Sequence, residues 1–115
     1  MEIVVNNNEW LVIDTNTHIL SEIYKETYGE NEDVVFAYGL CKYPAHTIYI
    51  NKEMCKEQRI KTLKHELTHC YIWEYGLFNV PNFTDEMVCD LVSSINTWMN
   101  EVVEKYKKEM LKDQC

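Results

Sequence analysis

Two histidines four residues apart, His65 and His69, with Glu66 directly after the first, are the residues of this chain best suited to chemistry. Around them, from Lys56 to Tyr75, the apolar residues Ile60, Leu63, Leu67 and Cys70 recur at intervals of three and four. That pattern predicts a helix ended by Gly76. At 3.6 residues per turn both imidazoles share one face, about one turn apart, and can converge on a single Zn²⁺. Glu66 could then act as general base on a water held at the open side of the ion and pass its proton to a leaving amine. The chemistry implied is peptide-bond hydrolysis by a metal-activated water. The plainer alternative is a pair of ordinary helix histidines, exposed or paired.

A catalytic zinc takes three protein ligands and keeps one position open. Glu74 is the nearest carboxylate downstream, but nine residues after His65 it falls half a turn off the metal face. Asp85, Glu86 and Asp90 stand at the start of the next predicted helix, which a helix–loop–helix reversal would bring back towards the first. Glu86 is the expected third ligand. Asp90, one turn further on the same face, is the expected acceptor for the free N–H of His65, the partner that orients a metal-bound imidazole. Asp85 suits a helix N-terminus by charge alone, and the same plain reading is open for Glu86. Cys70 and Cys89 adjoin these residues. A thiolate would bind zinc, although small buried side chains are the simpler account.

The elements that must position these residues follow from local pattern. Ile3 to Val5 and Trp10 to Ile13 flank Asn6-Asn7-Asn8 and predict a hairpin. Asp14 to Thr17 offers several caps for a helix to Tyr28, with Ile19, Leu20, Ile23 and Tyr24 inward and Gly29 as its stop. Val34 to Tyr38 reads as a third strand, Gly39 and Pro44 as punctuation, and Thr47 to Ile50 as a fourth strand. A loop containing Pro81 and Asn82 leads to Thr84, the expected N-cap of a last helix. Its stripe is Val88, Leu91, Val92, Ile95, Trp98, Met99, Val102 and Tyr106. Trp73, Trp98 and Tyr106 are expected to fill the core. The order is ββαββαα, an α+β fold with an antiparallel or mixed sheet packed on helices and His65–His69 on the second helix.

With 115 residues, one domain over 1–115 is expected. A net charge of −8 disfavours a phosphate backbone as partner, and the lysines of the tail are interleaved with glutamates. No apolar run approaches a membrane span. Met1 to Asn6 lacks the basic start and apolar stretch of a signal peptide. Five cysteines without a CxxC pair suit reduced thiols. A cytoplasmic protein is expected, as a monomer or a weak dimer through the end of the last helix.

His-Glu-x-x-His followed by a glutamate on a second helix and an aspartate four residues later resembles the gluzincin pattern of thermolysin. The short length and the run Lys61-Thr62-Leu63-Lys64-His65-Glu66-Leu67-Thr68-His69 resemble still more the ImmA/IrrE family, small zinc metallopeptidases of phages and mobile elements. The family's Glu-x-x-Ala-Asn-type segment reads Glu86-Met87-Val88-Cys89-Asp90 here, with Cys for Ala and Asp for Asn. The resemblance covers about Tyr43 to Ile95 and implies a zincin-like fold, one catalytic Zn²⁺ and a protein or peptide substrate such as a repressor or host factor. It also implies that His46, Thr47, Ile48, Tyr49 and Ile50 form the edge on which substrate pairs in extended form. An internal strand is the equal alternative for that segment. As oxyanion donors His46, Tyr43, Tyr71 and Tyr75 are available. A competing function is a non-catalytic binding or inhibitory protein of a phage or mobile element on the same scaffold. The retained Glu66 argues against it.

Overall fold

The computed structural model describes residues 1–29, 37–77 and 84–111. Its elements are β1 (Glu2–Val5), β2 (Asn8–Thr15), α1 (Thr17–Tyr28), β3 (Gly39–Lys42), β4 (Thr47–Asn51), α2 (Lys56–Glu74) and α3 (Asp85–Met110). The strands form one mixed sheet in the order β1-β2-β4-β3. β1 with β2 and β3 with β4 are antiparallel, whereas β2 and β4 run parallel, with α1 in the connection between them.

The hairpin follows from Asn6 and Asn7, whose φ values of 49° and 65° are the left-handed angles that a two-residue turn of this kind needs. β2 runs two residues further than the apolar pattern suggested, so Asn16 caps α1, its side chain accepting from Ile19 N–H at 2.8 Å. Gly29, at φ 100°, ends that helix as expected. Of its expected inward residues, Leu20 is buried but Ile19 is 47 % exposed.

The third strand departs from expectation. Val34 to Phe36 lie outside the described residues, and the strand that pairs with β4 begins at Gly39. Gly39 is there for proximity: a Cβ would lie 2.7 Å from Thr62 Cγ2 and 2.9 Å from the Tyr49 carbonyl oxygen. Its lack of a side chain lets β3 lie directly on α2. Pro44 falls in the turn between β3 and β4, as expected, while Pro81 and Asn82 lie outside the described residues.

One face of the sheet contributes Ile3, Val5, Trp10, Val12, Cys41, Ile48 and Ile50 to the core, covered by Leu63, Leu67 and Cys70 of α2 and Val102, Val103 and Tyr106 of α3. The second half of α3 therefore packs as its stripe predicts. The first two turns of α3 do not, since Val88 is 43 % and Val92 58 % exposed, whereas Ile95 further on is buried. Trp73 is also on the surface, stacked on Tyr43 with ring centroids 4.8 Å apart.

Two polar networks hold α2 to β2. Near its start, buried Arg59 pairs through Nη2 with Asp14 and donates from Nε to the Tyr106 hydroxyl at 3.2 Å, which in turn donates to Asp14 Oδ1 at 2.8 Å. At its end, Glu74 accepts from Trp10 Nε1 at 2.6 Å and from Asn8 Nδ2 at 2.7 Å. Removing one partner of such a buried pair strands the other charge. Arg59→Ala is therefore expected to lower unfolding free energy by about 3 kcal/mol in urea denaturation. A loss below about 1 kcal/mol, typical of an exposed ion pair, would contradict this account.

Candidate metal centre

His65 and His69 lie in the middle of α2, on the exposed side of a helix whose buried side carries Leu63, Leu67 and Cys70. The two Nε2 atoms are 3.2 Å apart and the rings are inclined at 74°. Two nitrogens each 2.0–2.1 Å from one tetrahedral zinc are separated by about 3.3 Å. The pair thus has the spacing of two ligands on one ion. Partial burial and the neighbouring His65 both hold the His69 imidazole below its ordinary range, which favours the neutral form that binds a metal.

Glu66 is turned about 100° around the helix from His65, into the seam between α2 and β3. Its residue is 7 % exposed, and a Cβ on Gly39 would lie 3.3 Å from its Cγ. Burial pushes its carboxyl up to about 7. Burial also raises the Cys41 thiol to about 12, with the Glu66 charge adding to it, and it raises the phenols of Tyr28 and Tyr43, on which Glu66 acts as well. The carboxylate is thus flanked by α1 and by the β3 side of the sheet. It also lines a cavity of about 350 Å³ together with His65, Gly39, Tyr24, Gln58 and Lys61.

The other expected site residues are placed differently. Glu86 and Asp90 are exposed on the first turns of α3, and nothing is described of the Asp85 side chain. Asp90 lines a groove with Tyr71 and Tyr75, which follow His69 on α2, and among the described residues the hydrogen-bond partner of His65 is His69. Among the described residues no group of three His, Cys, Asp or Glu is brought together. The two histidines fit a zinc ion, while the third ligand is not assembled beside them. Glu74 sits away from the pair, as its helical phase required, bound to Trp10 and Asn8.

The expected substrate edge at His46 to Ile50 is corrected. β4 is hydrogen-bonded to β2 on one side and β3 on the other, so Thr47, Ile48, Tyr49 and Ile50 have no free ladder to offer. His46 lies in the preceding turn at φ 47°, stacked on Trp10 with centroids 4.8 Å apart. The strand that borders Glu66 is β3, whose outer side carries no further strand among the described residues. Of the four residues considered as oxyanion donors, Tyr43 is the one beside the pair, lining a small recess with His69 and Trp73. Sequence reasoning missed Gly39, Gln58 and Lys61. The last two carried a signal, because Gln58, Lys61, Thr62 and His65 have the i, i+3, i+4, i+7 spacing of a single helix face.

A pH dependence follows from Glu66. Its carboxyl in the folded chain, at about 7, lies above the ordinary value of 4.5. The folded state therefore holds a proton that the unfolded state releases between these values, and stability falls as pH rises through that window. In the presence of a chelator, Glu66→Gln is expected to abolish this fall and to exceed wild type by about 3 kcal/mol at pH 8. Unfolding free energies at pH 4.5 and pH 8 check it, and parallel curves for the two proteins would contradict it. Comparison with known proteins finds no family model, no curated protein and no solved structure that matches the chain.

Proposed function

We propose that this chain is a zinc-dependent peptidase, in which His65 and His69 hold the metal and Glu66 is the general base. The observation that carries the reading is the 3.2 Å approach of the two Nε2 atoms beside a buried carboxylate on the same helix. When bound, zinc would polarise the scissile carbonyl and lower the pKa of a water towards neutrality. The rest is work for the chain's own side chains. Burial gives Glu66 a proton affinity near neutral pH, suited both to taking a proton from the water and to delivering it to the leaving nitrogen. β3 offers an extended backbone next to Glu66 on which a substrate segment can pair. Glu86 is the carboxylate proposed to complete the ligand set, and a protein segment in extended form is the proposed substrate. The likeness of the motif to ImmA/IrrE peptidases supports the same chemistry.

A second reading draws on one observation. Glu86 and Asp90 stand exposed and apart from the histidines, as they would in a binding or inhibitory protein that keeps the scaffold without turnover.

The test is cleavage of a denatured protein or peptide mixture after zinc loading, comparing wild type with Glu66→Gln. The substitution keeps shape and removes the base. Expected are about one zinc per chain in both proteins and a loss of cleavage of about 10²- to 10⁴-fold in the variant. Equal cleavage by both would remove Glu66 from the mechanism, and zinc binding without any cleavage would favour the second reading.

A further inference from the structure

The cavity that Glu66 and His65 share extends away from them along α2, and its far end has a different chemistry. Gln58 and Lys61 form that end on α2, with Tyr24 of α1 among the other lining residues. Gln58 is held in place by donation from Nε2 to Thr62 Oγ1 at 3.2 Å. Lys61 enters no ion pair among the described residues. This stands out in a chain of net charge −8, where carboxylates outnumber basic groups 19 to 11. The surrounding charge has the same sign. Lys56, Lys61 and Lys64 are all exposed on the first half of α2, with Glu57 the single carboxylate before His65.

The two ends are also separated. Lys61 precedes Glu66 by five residues, about 7 Å of helix rise, and side chains on a helix lean towards its N-terminus. No ion pair joins Lys61 to Glu66 among the described residues. The cavity offers a cation and an amide from the earlier turns of α2 and the proposed reacting groups from a later one, with the Tyr24 phenol also in its lining.

We infer that this cavity receives a substrate side chain next to the scissile bond and that Lys61 makes it select an acidic one, glutamate above all. The inference rests on the peptidase reading and names its substrate class. A glutamate side chain has the length to run from the reacting carbonyl towards Lys61. It gains a charge-assisted hydrogen bond there, with Gln58 as a further donor. A lysine or arginine side chain would meet a like charge in the same place, and rejection by repulsion adds to selection by attraction. Lys61 touches the substrate's flank and not its reacting atoms, so it acts on specificity.

The test uses the zinc-loaded protein and a peptide set that carries Glu, Gln or Lys on either side of a cleavable bond, with Glu66→Gln as the reference for background. Wild type is expected to prefer Glu over Gln by about tenfold, a difference worth about 1.4 kcal/mol. Lys61→Ala should abolish the preference and Lys61→Glu should turn it towards Lys, with cleavage in each still dependent on Glu66. Glu66-dependent cleavage with no charge preference, or with one that Lys61→Glu leaves unchanged, overturns the inference and leaves the peptidase reading intact. A second readout does not need turnover. Titration of the ¹⁵N-labelled protein with a blocked glutamyl peptide should shift the amides of Gln58, Lys61 and Thr62, and the glutaminyl analogue should do so at least fivefold more weakly. Equal shifts from both peptides, or none from either, overturn the inference whatever the outcome for cleavage.

Discussion

Helix α2 is fastened to strand β2 at both of its ends, and the placement of every other element near the histidines depends on that. Arg59 binds Asp14 near the start of the helix, and Glu74 binds Trp10 and Asn8 at its end. The lengths agree. From Arg59 to Glu74 the helix rises about 22 Å, and from Asn8 to Asp14 the strand spans about 20 Å. The helix is therefore held antiparallel to the strand with its axial position fixed, and the core residues Leu63, Leu67 and Cys70 fix its rotation. Hydrophobic burial alone would tolerate a slide or a small roll. Two polar anchors with directional hydrogen bonds do not.

The consequences reach the candidate site through geometry. With rotation fixed, His65 and His69 face outward and Glu66 is pressed into the seam with β3. Gly39 permits that seam to close, since a side chain there would collide with Thr62 and with the backbone of β4. The same closeness removes water from Glu66 and raises its proton affinity. Tyr106 carries the anchoring one element further, because its hydroxyl sits between Arg59 and Asp14 and so fixes the second half of α3. Among the described residues the first turns of α3 have no comparable tie. Their apolar residues Val88 and Val92 stay exposed, and Glu86 and Asp90 stay apart from the histidines.

Much of this was legible from local pattern. The asparagine turn, the stop at Gly29, the span of α2 and the cap at Thr84 depend on neighbouring residues, and each is found where the sequence placed it. The α+β class also follows from element order, which left the sheet antiparallel or mixed until the parallel pairing of β2 with β4 decided it. What depends on partners distant in sequence was not legible. Whether β4 lies at an edge depends on β3 and β2 both choosing it, and nothing within Thr47 to Ile50 records that choice. Gly39 looks like a turn glycine because the contact that requires it lies over twenty residues away in α2. Asp14 looked like a helix cap and is the counter-ion of Arg59, forty-five residues on. The helical stripe of α3 records an apolar face but not how much of its length finds a partner.

The central claim is that His65 and His69 share one metal ion through their Nε2 atoms, and X-ray absorption at the zinc edge measures it most directly. The account predicts about one zinc per chain, a first shell of nitrogen and oxygen at about 2.0–2.1 Å, and outer-shell scattering from two imidazoles that disappears when either histidine is replaced by alanine. A sulfur shell at about 2.3 Å, or a spectrum indifferent to both replacements, would contradict it.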